Sequence, residues 1–289
     1  MRRFAYERPR TLAQATSLLA DAGDGARVLA GGTDLVVGLR DGSIEPSVVV
    51  DLKWVDDLGG DTIVAGDGVL TFGALATMGQ IERDAGVLAR LPALAEAARV
   101  VGSVQIRNRA TLAGNICNGS PAADTAPPQL VYGATVVVAG PDGDRRVPID
   151  AFILGPRKVD LRRGELVRAI EIPLPAPGFG AAYTRLVRRR GTDLASVTLC
   201  ASVDAAGVTQ LAYGSVGPRA FLVRDEGGVL GDEQATAEAR AAVLDELLSQ
   251  ATPSPRSIRA SPDYRLAMLR VLAERALASA LHRRSWSAA

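Results

Sequence analysis

Residues 173–178 read Pro173-Leu174-Pro175-Ala176-Pro177-Gly178, and no other feature restricts the fold of this chain as much. Prolines at alternate positions remove backbone donors and hold φ near −65°, so neither a helix nor a central strand passes through. At 289 residues the chain also exceeds the size at which one hydrophobic core usually stops growing. The expected organisation is a first part, residues 1–174, subdivided near residue 55, then this linker and a second part, residues 175–289.

Within the first part, Thr11 and Gln14 have capping-box spacing, and Leu12, Ala15, Leu18 and Leu19 recur at helical intervals up to Gly23. Arg27 to Ala30 reads as a strand, Asp34 to Arg40 as a turn of helix and Val48 to Leu52 as a strand. From Asp61 the texture changes to strands at Thr62–Ala65 and Val69–Phe72, helices at Thr77–Arg83 and Pro92–Val101, and a Pro- and Gly-rich segment at Gly114–Pro128. Strands at Thr135–Ala139 and Leu166–Ile172 follow, the first ending in a Pro141–Gly143 turn. Beyond the linker, Tyr183–Arg188, Ser196–Val203 and Val208–Tyr213 predict a three-stranded antiparallel sheet. Helices at Gln234–Gln250 and from the Ser261 cap and Pro262 toward Arg284 close an α+β chain.

Composition excludes several kinds of chemistry. The chain has 33 basic and 32 acidic side chains, so it carries no bulk attraction for nucleic acid, and the Arg188-Arg189-Arg190 run reads as a solvated turn. The opening Arg2-Arg3-Phe4-Ala5-Tyr6-Glu7 lacks a signal peptide's apolar stretch, and no later stretch is long and uncharged enough for a membrane span; a cytoplasmic location is expected. An iron–sulfur cluster needs four Cys ligands, or two Cys with two His. Cys117, Cys200 and the single His282 cannot supply them, so any such centre belongs to another chain. No nucleophile motif and no site metal are expected.

Two glycine-centred turns are the candidate binding elements. In the first, Leu29-Ala30-Gly31-Gly32-Thr33-Asp34-Leu35, the glycines admit positive φ and let backbone N–H groups approach a phosphate, while Thr33 adds a hydroxyl. It fits neither the Rossmann fingerprint nor a P-loop. Asp34 is expected to cap local N–H groups, which would make it tolerable beside a phosphate. In the second turn, Thr111 and Asn115 offer uncharged donors and Gly114 a close backbone approach, and Asp124 downstream offers an acceptor for a ribose hydroxyl or an adenine amine. From spacing alone, a diphosphate clamp and a pair of structural turns both stay open.

These residues resemble the FAD-binding medium subunit of the molybdenum hydroxylases, the family of carbon monoxide dehydrogenase medium subunits and of the xanthine dehydrogenase flavin domain. Four stretches carry the resemblance: Phe4-x-Tyr6-x-x-Pro9-x-Thr11-Leu12; Ala30 to Leu35; Gln105-Ile106-Arg107-Asn108-Arg109-Ala110-Thr111 through Asn115 to Ser120-Pro121 and Asp124; and Tyr183 to Asp193 with Tyr213-Gly214-Ser215-Val216. The resemblance implies a two-subdomain FAD-binding fold of the vanillyl-alcohol-oxidase (PCMH) type plus a C-terminal domain. It implies that Val28 to Leu35 line the pyrophosphate and that Thr111, Ala113, Gly114 and Asn115 hold it from the other side. It further places Asp124 at the ribose or adenine end, Leu166 or its neighbour on the adenine, and Val101 near the flavin. Two positions depart from the family pattern: Ala113 stands where Gly is usual, which is expected to hold the second turn farther from the phosphates. Arg185 stands where Tyr-x-Lys is expected, keeping a cation near the flavin with altered reach.

By the same resemblance, a large subunit carries the molybdenum cofactor and a small subunit carries [2Fe–2S] clusters. FAD on this chain would pass their electrons to NAD⁺, a quinone, O₂ or a carrier. The rival expectations are a standalone FAD-dependent oxidoreductase of the same fold and a flavin-free structural or adaptor domain.

Overall fold

The computed structural model describes residues 2–287. The first unit runs β1 (Ala5–Glu7), α1 (Leu12–Ala22), β2 (Ala26–Leu29), α2 (Leu35–Asp41) and β3 (Val48–Asp51), with the strands in a parallel sheet of order β1-β3-β2. Thr11 caps α1 by accepting the Gln14 N–H, but Gln14 reaches back to the Arg10 N–H, not to Thr11, so the reciprocal box is displaced by one residue. Ala15 and Leu19 of α1 pack with Val50 and Leu52 in a core that also takes in Ala74, Ala139 and Leu166 of the second unit.

That second unit comprises β4 (Ile63–Gly66), β5 (Val69–Gly73), α3 (Met78–Ile81), α4 (Ala85–Arg90), α5 (Pro92–Arg99), α6 (Val104–Arg107), α7 (Leu112–Cys117), α8 (Ala126–Val131), β6 (Thr135–Gly140), β7 (Gly143–Pro148), α9 (Ile149–Phe152), β8 (Ile153–Gly155), β9 (Lys158–Val159) and β10 (Leu166–Pro173). Its main sheet is antiparallel, in the order β4-β5-β10-β6-β7. The edge strand β7 is polar outward, and its Arg145 and Arg146 pair with Glu165 and Glu171. Pro173 ends β10, where a missing N–H does least harm.

The remaining strands are β11 (Gly180–Leu186), β12 (Val197–Val203), β13 (Thr209–Gly214) and β14 (Phe221–Asp225), followed by helices α10 (Ala237–Leu248) and α11 (Pro262–Ser287). The antiparallel sheet therefore has four strands, with β14 joining the expected three. Side chains alternate between its two faces. Val197, Leu199, Ala201, Leu211 and Tyr213 face α10 and α11, while the smaller Ala181, Cys200 and Ala212 pack into the core of the second unit. At Gly180 the strand meets α11 so closely that a methyl group there would lie 2.0 Å from the Ala280 carbonyl oxygen. The Tyr183 N–H, on the open edge of β11, donates to Glu96 of α5 at 2.9 Å, and the other oxygen of Glu96 pairs with Arg283.

Candidate functional site

The first glycine turn leaves the end of β2 and enters α2. Gly32 takes φ of +75°, which an L side chain rarely adopts, and its carbonyl accepts the Val36 N–H. The N–H groups of Gly31, Gly32, Thr33 and Asp34 donate to no protein acceptor among the described residues. Asp34 does not cap them. Its backbone is already helical, at φ −93° and ψ −42°, which carries the carboxylate away from the N–H groups it was expected to meet. Desolvation by burial raises its pKa above the ordinary carboxylate value, which lessens the conflict with a nearby anion.

The second turn is the start of α7, not an open loop. Thr111 caps it by accepting the Gly114 N–H at 3.0 Å, and an isolated bridge to Thr77 anchors it, with Met78 N–H donating to Ala110 and Leu112 N–H to Ala76. The Ala113 methyl is buried in the central core, so the extra carbon at this position does not thicken the surface of the turn. Asn115 accepts from the Thr125 hydroxyl at 2.6 Å, which leaves its NH₂ as a donor. Gln129 completes the chain by donating to the Thr125 carbonyl.

The two turns meet. A methyl group built on Gly31 would lie 2.0 Å from the Arg109 carbonyl oxygen and 3.1 Å from the Ala110 α-carbon, so only glycine lets the first turn sit against the residues that open the second. Some of the other expected site residues stand apart from this contact. Leu166 is 1% exposed in the core shared by the first two units, against which Val28 also packs. Half-buried Val101 lies between α5 and α6, with its carbonyl accepting from Arg107.

Asp124 and Arg185 are brought together. Asp124 is 7% exposed and accepts the Tyr183 hydroxyl at 2.6 Å and the Arg185 guanidinium at 3.1 Å. Burial pushes this carboxyl above its ordinary value, against the pull of Arg185 and of the Tyr183 hydroxyl; burial and the same carboxylate push Tyr183 well up. The cluster joins the second unit to β11, and the Ser215 N–H donates to the Pro121 carbonyl at 2.7 Å beside it. Buried hydroxyls of Thr198, the register partner of Arg185, and of Ser215 have no partner among the described residues. Since Asp124→Ala would strand Tyr183 and Arg185 in a buried setting, we expect it to cost about 3 kcal/mol of stability in the flavin-free protein. Chemical unfolding of both forms measures this; an unchanged midpoint would contradict it.

A third polar cluster was not foreseen. Asp51, at the end of β3, is 1% exposed and takes donors from the Tyr6 hydroxyl, the Lys53 ammonium and the Lys53 N–H. Burial alone would raise its pKa, but the hydrogen bonds from Lys53 and Tyr6 hold it below the ordinary value. A lowered folded value contributes stability above the unfolded pKa that is lost as pH falls through the folded one. Asp51→Asn is therefore expected to flatten the acid limb of the stability profile below about pH 4, as urea midpoints across that range would register.

Burial pushes both thiols up, Cys117 to about 12, so neither is a ready nucleophile or ligand at neutral pH. Among the described residues, no group of three His, Cys, Asp or Glu side chains is placed to hold a metal ion, and no helix is long and apolar enough to cross a membrane.

Residues 2–175, which carry both glycine turns, match the family described as FAD binding domain in molybdopterin dehydrogenase. The chain belongs to that family, as the flavoprotein component of molybdenum-dependent oxidoreductases. Residues 181–280 match the CO dehydrogenase flavoprotein C-terminal domain. The chain is 33% identical to the xanthine dehydrogenase FAD-binding subunit of Escherichia coli O157:H7 over 282 residues, 96% of each chain. It is also 33% identical to the carbon monoxide dehydrogenase medium chain of Hydrogenophaga pseudoflava, covering 96% of this chain and 97% of that one. Among solved structures, a chain of reconstituted CO dehydrogenase from Oligotropha carboxidovorans superimposes with a TM-score of 0.90 at 28% identity, covering 98% of this chain and 99% of that one.

Proposed function

We propose that this chain is the electron-transfer subunit of a multi-subunit molybdenum hydroxylase or dehydrogenase and holds FAD with its diphosphate between the two glycine turns. The observation that carries the reading is the contact of Gly31 with Arg109 and Ala110, beside four successive N–H groups that have no protein acceptor among the described residues. Such a cradle has the donor chemistry that a diphosphate needs. Val28 to Leu35 line one side, and Thr111, Ala113, Gly114 and Asn115 the other. Asp124 and Arg185 form one ion pair at 3.1 Å and therefore meet the dinucleotide at the same point, not at opposite ends as the resemblance implied, while Leu166 or its neighbour packs on the adenine and Val101 lies toward the flavin.

Bound FAD supplies a store that takes electrons singly and releases them in pairs. The protein's own part is to bind and orient. Residues 1–174 match the flavin-binding part and residues 175–289 the C-terminal domain beside it, and the Thr198 and Ser215 hydroxyls, with no partner among the described residues, leave hydrogen-bonding capacity near Asp124 and Arg185. Two cysteines and one histidine are too few for a cluster, so electrons enter from a small [2Fe–2S] partner and originate at a large molybdenum-cofactor partner. They leave to NAD⁺, a quinone, O₂ or a carrier, in the cytoplasm. The test is purification of the tagged chain at native expression levels. Molybdenum, iron and flavin should arrive with two further chains, and adding the complex's substrate should bleach the flavin band. A lone chain turning over a substrate by itself would contradict the assignment.

A further inference from the structure

Lys53 lies in neither glycine turn. It follows β3 in a short 3-10 turn, Leu52–Trp54, and because β3 lies beside β2 in the parallel sheet, the chain brings it next to the first turn. Its ammonium ion-pairs with the buried Asp51 carboxylate and stands 3.4 Å from the Ala30 carbonyl oxygen. That distance is long for a hydrogen bond, so the contact acts mainly as a charge against a carbonyl dipole. Asp51 in turn is fixed by the Tyr6 hydroxyl from β1, so the ammonium is anchored and not left to swing on its four-carbon stem.

The peptide between Ala30 and Gly31 is planar and trans, so a carbonyl drawn toward Lys53 sets the Gly31 N–H in the opposite direction. That N–H is the first of the four without a protein acceptor among the described residues. We propose that Lys53, anchored by Asp51 and Tyr6, is a positioning residue that orients and polarises the Ala30–Gly31 peptide so that its N–H is presented to the diphosphate of a bound dinucleotide. The inference rests on the FAD reading above and assigns to it a residue outside both turns. Lys53 also places positive charge within a Debye length of the cradle, adding an attraction that salt weakens.

The test titrates the flavin-free full-length chain with FAD, comparing wild type, Lys53→Met and Lys53→Arg at low and high salt. Lys53→Met is expected to weaken FAD binding about tenfold at low salt and by less in 1 M salt, with most of the loss restored in Lys53→Arg. The ³¹P resonances of bound FAD should move in the Met variant and stay near the wild-type positions in the Arg variant. Equal affinity of wild type and Lys53→Met would overturn the proposal while leaving the FAD reading intact. So would a loss that is independent of salt and unrelieved by Arg, because that marks a purely structural role. A wild-type chain that binds no FAD would remove both.

Discussion

Gly32→Asp is expected to purify without flavin. At φ of +75° the position tolerates Asp and Asn better than other side chains, and the nearest obstacle to a new β-carbon is the mobile end of Leu29 at 2.7 Å. The fold should therefore survive. What changes is the charge, since a carboxylate set about 4 Å from a phosphate oxygen costs about 4 kcal/mol at an effective dielectric near 20, roughly a thousandfold in affinity. Gly32→Asn carries nearly the same shape without the charge, so the difference in FAD occupancy between the two variants isolates electrostatics. Equal occupancy in Gly32→Asp and wild type would mean that the diphosphate lies elsewhere.

Gly31→Ala acts through geometry. Its methyl group would fall 2.0 Å from the Arg109 carbonyl oxygen, where backbone and not a flexible side chain is the obstacle. The two turns must move apart by about an ångström, at a cost of about 3 kcal/mol, and the N–H groups then no longer converge on one diphosphate. FAD affinity is expected to fall about a hundredfold, read by titration, with a loss of folding stability of similar size. Because alanine adds neither charge nor polarity, a wild-type affinity here would show that the contact between the turns does not shape the site.

Much of the fold was legible because long elements repeat their apolar pattern. Helix α1, strands β5, β6, β10 and β12 and helix α11 all follow it. What escaped has identifiable causes. Strand β7, Gly143–Pro148, carries its polar face to solvent at a sheet edge and holds Arg145 and Arg146 by ion pairs with distant acids, so it lacks an apolar run. Helices α6 and α7 have four and six residues and are specified by the Ser103 and Thr111 caps, too short for any periodicity to register. Pro127 and Pro128 read as loop formers, yet they occupy the first turn of α8, where a proline gives up no helical hydrogen bond.

At the site, the glycines and Thr111 were readable as turn chemistry, whereas their mutual contact, across 78 residues from Gly31 to Arg109, belongs to the tertiary fold. Lys53 carried no local signal at all. Its approach to Ala30 exists only because β2 and β3 are neighbours in a parallel sheet. Arg185 was noticed for its charge, but its partner Asp124 emerged only when β11 came to rest beside the second unit.

The central claim is that two backbone turns grip a diphosphate, which FAD has and FMN and riboflavin lack. Titrating the flavin-free chain with all three, followed by flavin fluorescence, tests it directly. FAD should bind at least about a hundredfold more tightly than either shorter flavin, the contribution of a few charge-assisted hydrogen bonds. FMN binding as tightly as FAD, or no flavin binding at all, would contradict it.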